Sequence, residues 1–273
     1  MITGRTIIDG TDIKATYGAY IVSGGYDDVP AFPALKNPPM NDWFEHDGVE
    51  VDLSSPCLES KSITLAFMMN GEMSKLQEFI AFLNSAKKHT VEMCDISRTL
   101  ELRMDSVRCA GLAYDLKKVT VVMYDDSPAD GSDYAEPDSS RKATGVTIDG
   151  TDLSKYDVIL NGSPDGLFPD YNMKENLLHE SDFYNGETHE LSGLPTFGGS
   201  DIRIGCVMRT ATAEAFWKRR DSLLHDLSKA GEKVIAYRGN TYTAYYKDCR
   251  SSYFDYDGSL WWEFDLTFGY IGE

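Results

Sequence analysis

Residues 8–13 read IDGTDI and residues 148–153 read IDGTDL, one turn-forming hexapeptide written twice, 140 positions apart. An Asp-Gly pair between β-branched residues specifies a tight hairpin, because its central positions need positive φ. Working outward, each copy leads into an apolar segment, Tyr20-Ile21-Val22 in one and Val158-Ile159-Leu160 in the other. A Gly/Pro-rich loop follows in both, carrying Phe32-Pro33 and Phe168-Pro169. Next come WFEHDGVEVDL (43–53) and FYNGETHEL (183–191), each with a turn dipeptide, Asp47-Gly48 or Asn185-Gly186. SITLAFMM (62–69) then matches DIRIGCVM (201–208), and each precedes the strongest helical pattern of its half. TLELRMDSVR (99–108) finally aligns with TYTAYYKDCR (241–250), ending on Arg108 and Arg250. Six features in one order, at offsets between 136 and 143, imply a tandem duplication. The stretch between the copies, DDSPADGSDYAEPDSSRKAT (125–144), has the Ser, Asp and Pro content of a linker. The expected organisation is a first unit over 1–124, a linker over 125–144 and a second unit over 145–273.

Local patterns set the fold class of one unit. Ile63, Leu65, Phe67 and Met69 alternate along one strand, as do Ile202, Ile204, Cys206 and Met208 along its counterpart. Asp9-Gly10, Asp47-Gly48, Asn185-Gly186 and Asp257-Gly258 read as hairpin turns. KVTVVMY (118–124) and WWEFDLTFGY (261–270) complete roughly seven strands per unit. Ser74 with Gln77 forms a capping-box pattern ahead of the apolar stripe Leu76, Phe79, Ile80 and Leu83. Thr212 is the expected cap of the second helix, with Phe216, Leu223, Leu224 and Leu227 on its stripe and Gly231 as its stop. The expected class is mainly β (α+β): two similar β-sandwich or barrel units, each with one flanking helix.

Composition narrows the function. The chain has 273 residues, 42% hydrophobic and 12% aromatic, enough to bury real cores. Its net charge is -18, with 12 basic against 21 acidic residues up to residue 135 and 14 against 23 beyond it. The acidity is thus spread over both halves, which disfavours electrostatic capture of nucleic acid. The opening MITGRTIIDG lacks a basic start and an apolar run, so no signal peptide is expected. No stretch approaches the ~20 apolar residues of a membrane span. Five cysteines (Cys57, Cys94, Cys109, Cys206 and Cys249) without CxxC spacing read as reduced core residues rather than disulfides or zinc ligands.

Catalytic patterns are not apparent. Asp9 with Asp12, and Asp149 with Asp152, read as turn residues rather than paired catalytic carboxylates, with no His or Cys near them in sequence. His46, His89, His179, His189 and His225 are scattered, and Phe183 occupies the position that would complete an HExxH motif from His179. Ser192-Gly193 and Ser200 lie in a Gly-rich loop without the GxSxG elbow. The expectation is therefore no enzyme, no catalytic residue, no metal ligand and no cofactor site. Trp43, Trp217, Trp261, Trp262 and the 16 tyrosines fit core packing or a sugar-stacking platform. In a regular strand Trp261 and Trp262 point to opposite faces, so one of them is expected outside the core.

The two openings, TIIDGTDIKATYGAYIVSGG and GVTIDGTDLSKYDVILNGS, resemble the start of the ring-forming domain of phage distal tail (baseplate hub) proteins. The order of strands, one helix, then strands is similar to the wider tail-tube fold. The resemblance implies a structural virion protein of a phage or prophage tail, assembled in the bacterial host cytoplasm and lacking cofactors. It implies a ring around a channel through which DNA passes without specific binding, contacts with other tail proteins, and no membrane. It also implies long loops that clasp neighbours, for which segments 23–42 and 161–176 are the candidates. The family typically pairs one ring domain with a different second domain, whereas this chain repeats the ring-type unit. Two units per chain favour a trimer with pseudo-sixfold symmetry, with a hexamer as the other option. The alternative reading is a tandem carbohydrate-binding or adhesin-type β-sandwich module. A hydrolase comes third.

Overall fold

The computed structural model of the chain describes residues 3–111, 115–128, 134, 136–162, 164–174, 178–180, 182–183, 185–189 and 195–272. In its first half the elements run β1 (Thr6–Ile8), β2 (Thr11–Asp12), α1 (Ile13–Tyr17), β3 (Ala19–Ile21), β4 (Met40–Asn41), β5 (Glu50–Val51), β6 (Lys61–Asn70), α2 (Met73–Leu83), β7 (Lys88–Met93), β8 (Arg98–Gly111) and β9 (Leu116–Asp125). The second half runs β10 (Val146–Ile148), β11 (Thr151–Asp152), β12 (Val158–Leu160), β13 (Tyr171–Met173), β14 (Leu178–Glu180), β15 (Glu187–His189), β16 (Phe197–Gly199), β17 (Ile202–Thr210), α3 (Ala213–Ser228), β18 (Lys233–Tyr237), β19 (Asn240–Asp255) and β20 (Leu260–Gly272).

Each half is organised around one antiparallel sheet of seven strands. The orders are β2-β1-β7-β8-β9-β6-β3 and β11-β10-β18-β19-β20-β17-β12, which are the same path through corresponding strands. Registers correspond as well. Ile8 stands opposite Val91 and Ile148 opposite Ile235. Arg108 pairs with Thr120 and Arg250 with Asp265, so the arginines that end the aligned segments hold like places. The sandwich expectation is corrected here: each half has a single main sheet, not two facing ones. In the first half the Ile21 N–H donates to the Gly4 carbonyl at 3.0 Å, so the β3 edge lies beside the chain entering β1.

Alternation does what period-2 patterning requires. Ile63, Leu65, Phe67 and Met69 are buried on β6, and Ile202, Ile204, Cys206 and Met208 on β17. On β20 Trp262, Phe264, Leu266 and Phe268 face the core, while Trp261 lies on the other face, its indole N–H donating to Glu263 at 2.9 Å. The helices cover these faces with Leu76, Phe79 and Leu83 from α2, and Phe216, Leu223, Leu224 and Leu227 from α3. One apolar cluster runs through both halves.

Several local expectations change. Thr212 caps α3, its hydroxyl accepting from the Ala215 N–H at 3.2 Å. Ser74 does not cap α2: Glu72 stands at the N-cap, and Ser74, two positions later, donates its hydroxyl to the Glu72 carboxylate instead. Helix α3 stops at Ser228 because Lys229 turns extended, before Gly231 is reached. Helix α1 was hidden in the turn motif: Asp12 caps it by accepting from Ala15 N–H at 3.0 Å, and Gly18 at φ 72° ends it. Asp47-Gly48 and Asn185-Gly186 sit inside longer loops rather than forming two-residue turns. A hairpin not read from sequence joins β18 to β19, with Arg238 at φ 50° and Gly239 at φ 87°.

Between the halves, residues 129–133 and 135 lie outside the described residues. The rest of segment 134–144 runs along the second half. Tyr134 stacks on His225 at 4.3 Å, Asp138 pairs with Arg219, and the Ser139 N–H donates to the Lys155 carbonyl at 3.1 Å.

Candidate functional site

The two β1–β2-type turns are structural in a specific way. Asp9 (φ 48°) and Asp149 (φ 49°) occupy the left-handed first positions of their turns. Each carboxylate reaches back to the neighbouring strand, accepting the Thr90 N–H at 2.8 Å and the Val234 N–H at 2.8 Å. The sequence showed no histidine beside these aspartates, but β7 brings one in: His89 Nδ1 lies 2.6 Å from Asp9 Oδ2. The counterpart beside Asp149 is Lys233, 3.7 Å away and nearly buried. Burial pulls the Lys233 ammonium below its ordinary range, with Asp149 opposing the shift. Asp152 is partly buried, which opposes ionisation, yet donors from Thr144, Ser154 and Gly145 overcome this and hold its pKa at about 2. Strand pairing created these neighbours, so local sequence could not display them.

The remaining candidates divide by burial. Trp217 and Trp262 are buried, whereas Trp43 is 49% exposed with its indole N–H on Glu50 at 3.0 Å. The cysteine expectation holds for Cys206 and Cys249 alone; Cys57 and Cys109 are exposed and Cys94 is intermediate, because their strands or loops present them away from the sheet core. All five thiols are free. The side chains of His179 and His189 and the pair Ser192-Gly193 lie outside the described residues. Among the described residues no three His, Cys, Asp or Glu side chains gather as a metal group. Among them, too, no helix is long and apolar enough to cross a membrane.

The most elaborate chemistry lies on the seam between the sheets. Residues 22–60, the excursion between β3 and β6, leave the first sheet and run over the second. Phe32 is 3% exposed, its ring edge-on to Trp262 (5.3 Å) and Phe264 (6.1 Å). Arg220 on α3, itself buried, lies over the Phe32 ring at 4.8 Å and donates to the carbonyls of Pro30 (2.9 Å) and Ala31 (2.8 Å). Tyr246 donates its hydroxyl to the Pro33 carbonyl at 2.8 Å, and the Leu35 N–H bonds the Lys247 carbonyl at 2.8 Å. Further along, the 42–49 loop sits on the end of β20 and on β16. The Val49 N–H bonds Ile271, the Gly48 N–H bonds Phe197, and the Lys174 ammonium bonds the carbonyls of Trp43, His46 and Gly48.

Side chains from the first sheet finish the seam. Trp217 donates its indole N–H to the Ile96 carbonyl at 2.7 Å. Arg98 stacks over Trp217 at 4.6 Å and grips Asp221 through both terminal nitrogens. Burial pushes the Asp221 carboxyl up, but Arg220 and Arg98 outweigh it and keep the group below the usual carboxylate range. Lys61 is buried beside this network, donating to the Val29 carbonyl at 2.5 Å, and burial drives its ammonium well below the ordinary lysine range. A cleft of about 410 Å³ opens where Phe32, Glu59, Lys61, Cys249 and Arg250 meet.

Segment 23–42, expected to clasp a neighbour, thus spends residues 30–35 on the other half of its own chain. The corresponding excursion of the second half, 161–201, differs. Leu167 is buried in the core, but Phe168, Met173 and Phe197 stand largely in solvent, at 41%, 65% and 40% exposure.

No family model matches the chain, and no curated protein matches it either. Among solved structures it is similar to the SPP1 Dit (gp 19.1) protein, presented as a paradigm of the hub adsorption apparatus in phages that infect Gram-positive bacteria. The TM-score is 0.36 at 11% identity, over 98% of each chain. A likeness of that size transfers no residue or activity from one molecule to the other.

Proposed function

We propose that this chain is a non-catalytic structural protein of a phage or prophage tail, closing with copies of itself into a ring around the DNA channel at the tail tip or baseplate. It is read as a tandem duplication of a tail-tube-like unit, 1–124 and 145–273, joined by 125–144. One observation carries this reading. The two sheets follow one strand order, and the excursion between the third and fourth corresponding strands covers the other half in the first case while exposing apolar residues in the second. A repeated unit that contacts its copy within the chain leaves the equivalent contact open at the chain's ends. Copies that satisfy it head to tail form a ring when the rotation closes.

A trimer with pseudo-sixfold symmetry is favoured, and a hexamer is the other option. Other tail proteins stack on the ring, and the net charge of -18 lets DNA pass without sticking. The test is light scattering with negative-stain imaging of the purified chain. Rings of three or six copies support the proposal; a strict monomer at high concentration overturns it. The competing reading, a tandem carbohydrate-binding or adhesin module, draws on the exposed Trp43 ring. Selective binding on a glycan array, without rings, would establish it instead.

A further inference from the structure

We propose that the first half contains a proton-operated clasp, in which a doubly protonated His89 ties the C-terminal end of α2 to the β1–β2 turn, while the second half holds a lysine version of the same clasp. His89 is 1% exposed on β7 and bonded at both ring nitrogens. Nε2 lies 2.9 Å from the Leu83 carbonyl, and Nδ1 lies 2.6 Å from Asp9 Oδ2. A carbonyl only accepts, so Nε2 carries a hydrogen. The Asp9 carboxylate already takes the Thr90 N–H on its other oxygen, and an ionised carboxylate also only accepts, so Nδ1 carries one too. The ring is then an imidazolium, held between a carboxylate and the negative end of a helix.

The second half repeats the geometry with a different base. Ile8 faces Val91 and Ile148 faces Ile235, so His89 and Lys233 stand at the same register. Lys233 Nζ donates to the Lys229 carbonyl at 3.0 Å, just past the end of α3, and lies 3.7 Å from Asp149 Oδ2. The motif of turn aspartate, buried base and helix-end carbonyl is therefore present twice, and only the base differs. Around His89 the elements supply Asp9 from the turn, the Leu83 carbonyl and the Phe82 ring (6.0 Å) from α2, and Leu102 opposite it on β8. Among the described residues the charged group bonded to His89 is Asp9.

Histidine is the side chain whose charge changes near neutral pH. Loss of the Nδ1 proton sets a lone pair against the Asp9 carboxylate, and the tie between turn and helix is lost. Burial lowers the Lys233 ammonium's range, but an amine keeps N–H donors whether charged or neutral, so the lysine clasp does not fail in this way. The first half thus loosens at the end of α2 on the alkaline side, while the second half holds.

The test is amide hydrogen exchange on the full chain, expressed as protection factors, from about pH 5 to about pH 9. For residues 84–90 of the wild-type protein, protection is expected to fall about tenfold or more across that range, the loss of one charge-assisted hydrogen bond. In His89→Lys the fall disappears, and residues 229–235 show none in either protein. Ring-nitrogen NMR of the wild-type chain, which needs no variant to fold, should show both His89 nitrogens protonated at the acidic end. A flat profile at 84–90, an equal fall in both halves, or a singly protonated ring at about pH 5 overturns the proposal.

Discussion

Replacing Phe32 by alanine should cost the chain about 4 kcal/mol and release the first excursion from the second sheet. The ring is 3% exposed and lies edge-on to Trp262 and Phe264. A buried aromatic side chain removes at least about 150 Å² from water, which at about 25 cal/mol/Å² is close to 4 kcal/mol. Measured truncations of buried phenylalanines fall at about 3–5 kcal/mol, with the residual cavity setting the spread. Arg220 loses its ring partner as well, a further contribution of about 1 kcal/mol, although its bonds to Pro30 and Ala31 and to Asp221 can persist. The natural control is Phe168, which occupies the matching Phe-Pro dipeptide but is 41% exposed. Phe168→Ala should cost less than about 1 kcal/mol in the isolated chain. Urea unfolding followed by tryptophan fluorescence reads both, since Trp262 lies under Phe32; a slope near 3 kcal/mol/M gives a midpoint shift of about 1 M for the first variant. If Phe32→Ala costs under about 1 kcal/mol, or the two variants cost the same, the seam is not held as described.

Three further outcomes are expected. Asp27 has a buried oxygen, Oδ1, without a hydrogen-bond partner among the described residues, and burial with Asp28 beside it pushes its pKa up to about 6; because the folded state then binds the proton more tightly than the unfolded chain, stability falls as pH rises from about 4 to about 6. Asp27→Asn should remove that slope in pH-dependent denaturation, and an unchanged slope would assign it elsewhere. Gly48 sits at φ 72° with space for a Cβ only 1.9 Å from the Ile271 carbonyl oxygen, so Gly48→Ala should detach the 42–49 loop, seen as faster amide exchange at Val49 and in proteolysis between residues 42 and 49. In the native protein Cys57 and Cys109 should react quickly with a thiol reagent while Cys206 and Cys249 remain protected until unfolding; mass mapping of the labelled peptides distinguishes the two sets.

The strand faces and most of the helix stripes were legible because they depend on neighbours along the chain. Ile63 to Met69 and Ile202 to Met208 alternate as a strand must, and Thr212 stands where a helix start needs an acceptor. Asp12 shows the limit of such reading, since a turn and the cap of a short helix demand the same residue at the same place. Arg238 took a left-handed turn position that its residue type does not advertise.

By itself, then, the sequence determined two β-rich halves, the inner faces of their strands and the paired turns at Asp9-Gly10 and Asp149-Gly150, all consequences of short-range periodicity and backbone preference. Tertiary structure alone decided that each half closes on one sheet, that His89 meets Asp9, and that the dipeptide at Phe32 is buried while the one at Phe168 is exposed. Those outcomes depend on which distant surfaces meet. Arg220 and Trp262 lie about 190 and 230 residues from Phe32, and no local pattern encodes a contact whose energy appears only after both sheets have formed.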